Sequence, residues 1–136
     1  MPSPYDLKNN VTVSSGFDPQ ALSSTTDIVG NIIDMQGFDS LTFVLQTDAI
    51  AASNLAAVLL IEEDDASNLA SASAVADADL LGTEADTAIT QATASASLSI
   101  GYTGSKRYVR PTLTVTTNDG TDVVSCLAIK GSQQQI

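Results

Sequence analysis

Apolar and polar residues alternate with period two over three stretches of the chain, the pattern of half-buried strands. Leu41, Phe43 and Leu45 alternate with Thr42, Val44 and Gln46, and Thr47-Asp48 close that run. Ala92, Ala94, Ala96, Leu98 and Ile100 alternate with Thr93, Ser95, Ser97 and Ser99, so residues 92–100 form a strand that turns alanines inward. From Lys106 to Thr117, Val109, Leu113 and Val115 fall on one side and Tyr108, Arg110, Thr112, Thr114 and Thr116 on the other. Asn118-Asp119-Gly120 then offers residues that tolerate positive φ, and Val123–Lys130 is again apolar and β-branched. Residues 106–130 therefore predict a β-hairpin.

Shorter signals fill the rest. Residues 1–10 carry Pro2 and Pro4 and read as an extended N-terminal arm. Val11-Thr12-Val13 is a short strand, and residues 14–26, with Gly16 and Pro19, a loop into a second strand around Thr26 to Met35. Residues 36–40 are a turn. Asn54 to Ile61 is apolar in both phases, as in a central strand, and Glu62-Glu63-Asp64-Asp65 ends it. The Ala/Ser-rich region that follows reads as loop with a helical turn, and residues 131–136 as a flexible polar tail. Six to eight short strands with turn signals between them predict an all-β fold, an antiparallel β-sandwich or jelly roll in a single domain over residues 11–130.

Charge narrows the partners. Sixteen acidic residues against five basic ones leave a net charge of −11, which repels a phosphate backbone and argues against nucleic acid. Three of the five basic residues, Lys106, Arg107 and Arg110, share one strand with Tyr108. Arg and Tyr are the side chains that interfaces favour, although the same cations could simply pair with surface carboxylates. The longest apolar run is far too short to span a bilayer, and no secretory signal opens the chain, so synthesis in a cytoplasm is expected.

Chemistry is scarce. Without His, every imidazole-based dyad or triad is excluded. The lone Cys126 lies among Val123, Val124, Leu127 and Ile129 and reads as a small buried hydrophobe. Asp77-Ala78-Asp79 begins like a calcium loop, but Leu81 and Ala88 stand where further oxygen ligands belong, so a solvated acidic loop is the better reading. No enzyme, metal, cofactor or small-molecule substrate is expected.

Four segments carry a resemblance. In order they are Tyr5–Lys8, Ile33–Phe43, Ala78–Gly82 and, most specific, Gly101–Arg110. Together they resemble small tailed-bacteriophage virion proteins of the capsid decoration, or cement, type. The resemblance implies a β-sandwich or jelly-roll subunit, often a homotrimer, on the capsid exterior, binding the major capsid protein across capsomer boundaries. It would be made in the host bacterial cytoplasm. The contact residues expected on this reading, for capsid or for a neighbouring subunit, are Tyr5, Leu7, Lys8, Tyr102, Lys106, Arg107, Tyr108 and Arg110. Pro111 departs from the resemblance and is expected to bulge or end strand pairing locally. The alternative is a glycan-binding β-sandwich module on the virion surface, against which the absence of Trp and scarcity of Tyr and Phe both count.

Overall fold

Period-two alternation produces two antiparallel sheets packed face to face. The computed structural model describes residues 6–91 and 95–132. The first sheet runs β1 (Val11–Ala21), β11 (Val123–Ser132), β4 (Phe38–Thr47), β9 (Ala96–Tyr102) and β7 (Leu80–Leu81). The second runs β2 (Ile28–Val29), β10 (Tyr108–Thr117), β5 (Ala56–Asp64) and β6 (Ser73–Ala74), with β3 (Ile33–Asp34) also on β10 and β8 (Ile89–Thr90) also on β5. Leu41, Phe43 and Leu45 point inward, as their alternation requires, into one core with Ile100, Leu59, Val109 and Leu113. Each such side chain, once buried, contributes roughly 1.5–3 kcal/mol. The sandwich expected from the sequence is the fold. Ala92 and Ala94, expected to open β9, lie outside the described residues.

The expected hairpin does not form. β10 pairs with β5, β2 and β3 in the second sheet, whereas β11 lies between β1 and β4 in the first. Residues 118–122 carry the chain from one sheet to the other: Asn118 closes a local turn by accepting the Gly120 N–H at 3.0 Å, and the side chains of Asn118, Asp119 and Asp122 also bind other loops. The Asn118 amide donates to the carbonyls of Leu22 (2.9 Å) and Ser24 (3.1 Å). The buried Asp122 carboxylate accepts from the backbone N–H groups of Ala51 and Ala52, at 2.8 and 3.1 Å. Positive φ occurs at Leu69, Gly37 and Gly82 and not at Gly120. Gly120 is instead needed for close approach, since a Cβ there would stand 2.6 Å from that of Ala52.

Further expectations change. Residues 14–21 continue β1 rather than loop, paired to β11 with register shifts between Ser15 and Phe17 and between Phe17 and Gln20. An edge strand tolerates both the bulges and Pro19. Glu62, Glu63 and Asp64 belong to β5 instead of ending it. The strand expected from Thr26 to Met35 is two short pieces, β2 and β3, and Pro111 explains the break. Its carbonyl accepts from Gly30 N–H at 2.8 Å. In an antiparallel strand a residue's donor and acceptor point the same way, so the N–H that proline lacks falls at that gap. On its other side Pro111 pairs with Ile61 without interruption, and no bulge forms there. Residues 7–10, expected to be extended, form a helical turn α1 (Leu7–Asn10), and β11 runs on through Ser132 where a tail was expected from Gly131.

Candidate contact surface

The basic residues gather towards one end of the sandwich. Lys106 and Arg107 lead into β10, Arg110 is its third residue, and Lys130 lies near the end of β11. Pairing of Val11 with Gly131 brings α1, with Lys8, to that same end. The opposite end, built from the loops around Asp27, Asp48, Asp119 and Asp122, holds carboxylates bonded to backbone and hydroxyl groups.

Each cation of the β10 cluster has a carboxylate partner within the chain. Arg107 meets Asp34 in a two-point contact, Nε to Oδ1 and Nη2 to Oδ2, both 3.0 Å, and Nη2 also donates to Gln36 Oε1 at 2.7 Å. Its guanidinium lies over the Tyr108 ring, 5.0 Å from the centroid. The Arg107 bonds, with the Gln36 N–H, hold the Asp34 carboxyl down at about 2. Arg107 is raised in turn by the same contact. Lys106 Nζ pairs with Asp65 at 3.2 Å. Arg110, half-buried, donates to Glu62 Oε1 at 3.1 Å, and Thr112 Oγ1 donates to the same oxygen at 2.9 Å.

Tyr102 is not on this surface. The structure buries it, correcting its expected role as a contact residue. Residue parity in β9 points it between the sheets. Its hydroxyl donates to Glu63 Oε1 of the opposite sheet (2.8 Å) and accepts from Lys106 N–H (3.0 Å). Burial, then the Glu63 bond, pushes its phenol upward from the ordinary value. Gly104 lies against it, where a Cβ would stand 2.5 Å from the hydroxyl oxygen. Leu7 and Lys8 stand exposed on α1, whose N-cap Asp6 accepts from Asn9 N–H at 3.1 Å. Tyr5 lies outside the described residues.

Lys130, which is not among the contact residues expected from the sequence, belongs to this end. Its ammonium sits over the Phe38 ring, 4.3 Å from the centroid, and donates to the Asp34 carbonyl at 3.0 Å. The signal was present in β11, where alternation places Lys130 in phase with the buried Val124, Cys126 and Ala128. Between residues 35–39 and 103–107 the surface opens into a cleft of about 450 Å³, bordered by Met35, Phe38, Thr103 and Arg107.

This arrangement brings paired cations and an aromatic ring together at one end of the sandwich. The guanidinium groups are oriented by their carboxylate partners, and that of Arg107 lies over the Tyr108 ring. Among the described residues no three His, Cys, Asp or Glu side chains are grouped to hold a metal ion. Carboxylates of the acidic loop serve its turns: Thr83 and Asp86 form a reciprocal cap, with Thr83 N–H donating to Asp86 Oδ2 at 3.0 Å. Among the described residues no helix is long and apolar enough to cross a membrane. Comparison of the chain with protein-family models and with curated proteins finds no match to either.

Proposed function

We propose that the chain is a structural virion protein of a tailed phage, without catalytic activity, that decorates the capsid. On this reading it binds the outer surface of the major capsid protein across capsomer boundaries and stabilises the shell, as a homotrimer matching local threefold points. The observation that carries the reading is the gathering of the basic residues, Tyr108 and α1 at one end of the sandwich, where Asp34, Glu62 and Asp65 pair with Arg107, Arg110 and Lys106. That end is built largely from Gly101–Arg110, the segment with the most specific resemblance. The acidic body supplies long-range attraction to a basic capsid exterior. The Arg107–Tyr108 surface and the exposed Leu7 supply short-range contact.

The glycan-binding alternative finds one supporting feature, the cleft beside Phe38. Against it, the face of that ring already carries the Lys130 ammonium and so offers no sugar platform. Co-sedimentation with expanded empty capsids tests the capsid reading, and a glycan-array screen tests the alternative. Binding to the array together with none to the shells would replace the first reading by the second.

A further inference from the structure

The outward faces of the two sheets differ in kind. In the first sheet, antiparallel register lines up side chains that share one face. One row across all five strands is Val13, Ile129, Thr42, Gly101 and Leu81. The next is Ser15, Leu127, Val44 and Ser99, with Ser125, Gln46 and Ser97 beyond it, and Val11, Gly131 and Ser40 lie on the far side of the first row. No charged residue occupies any of these positions. Val13, Leu81 and Leu127 are 56%, 61% and 42% exposed, so apolar groups stand in solvent across the sheet. Among the described residues carboxylates stand at the margins of these rows: Asp18 at the β1 bulge, which accepts from the Ser15 hydroxyl at 3.0 Å, and the exposed Asp39 at the register shift near the start of β4. The second sheet's outward face carries charge at one end, in the cross-strand pairs Arg110–Glu62 and Tyr108–Asp64, and continues with Thr112–Leu60 and Thr114–Val58.

We infer that the outward face of β1-β11-β4-β9-β7 packs against a second copy of this chain. The argument is electrostatic. Two bodies of charge −11 repel wherever carboxylates face carboxylates, and like-charge juxtaposition across an interface is strongly disfavoured. This face lets copies meet with apolar side chains and hydroxyls opposed and no carboxylate within its rows. A basic capsid exterior would instead find its complement on the acidic or ion-paired surfaces. Edge-to-edge pairing through β1 is discouraged by its two bulges and Pro19, which leaves the face. Three such faces turned towards a common axis would give a closed trimer, but the contact itself does not depend on the capsid reading and is measurable on the free protein.

Sedimentation equilibrium from about 1 µM to about 1 mM chain, the span of weak to moderate association, tests it. The wild type is expected to self-associate as concentration rises. Added salt should tighten that association, because it screens the mutual repulsion. Val13→Glu and Leu127→Glu, each at an exposed position, should weaken it about tenfold or more while leaving circular dichroism and melting unchanged. Thr116→Glu, exposed on the second sheet, should leave association as in the wild type. A wild type that stays monomeric throughout, or association that survives both face substitutions in folded protein, overturns the inference. So does a Leu127→Glu variant that self-associates normally yet no longer binds capsids, which would assign the face to the capsid.

Discussion

Arg107 and Asp34 join the lead-in to β10 to the end of β3 through two parallel 3.0 Å contacts, fixing the guanidinium beside Tyr108. The depressed Asp34 carboxyl sets the sign of a pH effect. A carboxylate held below its ordinary value near 4 contributes stability above that pH and loses it as pH falls towards about 2. Asp34→Asn should therefore lower the urea midpoint at neutral pH, and the gap to wild type should close between pH about 4 and about 2. A gap that stays constant over that range would contradict the pairing.

Tyr102→Phe removes the hydroxyl that links the sheets through Glu63 and accepts the Lys106 N–H. Leaving those partners unsatisfied should cost about 1–3 kcal/mol in chemical denaturation. Gly104→Ala, which drives a Cβ into the same ring, should cost a comparable amount of about 1–3 kcal/mol. Neutral behaviour of both variants would mean that Tyr102 does not tie the sheets.

Burial pushes the Cys126 thiol up to about 12, and its Sγ lies where a Cβ on Gly16 would intrude at 2.7 Å. The folded protein should therefore resist thiol reagents at mildly alkaline pH and label fully once denatured. Rapid labelling of the folded chain would show that β1 opens away from β11.

How much of this was legible in the sequence depends on where each residue's partner lies. Leu41, Phe43 and Leu45 needed only their own alternation to be placed, and Lys106, Arg107, Tyr108 and Arg110 were found by their density in an acidic chain. Asn118-Asp119-Gly120 announced a change of direction. It could not announce that Asn118 binds the carbonyls of Leu22 and Ser24, which sends the chain to the other sheet. Residues 14–21 looked like loop because Ser, Gly and Pro are poor strand formers. Their ladder is supplied by β11, more than a hundred residues on. The acidic end of β5 was hidden for the same reason, since Glu62 and Glu63 are partnered by Arg110 and Tyr102.

No residue of 7–10 is fully buried, and Leu7 and Lys8 are exposed, so deleting residues 1–8 should leave melting of the free protein nearly unchanged while, on the proposed role, weakening attachment to capsids. Loss of folding in that variant would place the arm in the core and remove it as a contact element.

For the proposed capsid role the most direct measurement is co-sedimentation of the chain with expanded empty capsids of a tailed phage proposed as its source, compared with Arg107→Ala and Tyr108→Ala. The account predicts saturable binding to the shells, weakened by about 1–3 kcal/mol in a variant that removes an anchor, with added salt slowing attachment more than it speeds release. Absence of the wild-type chain from the pelleted shells at low salt would contradict it.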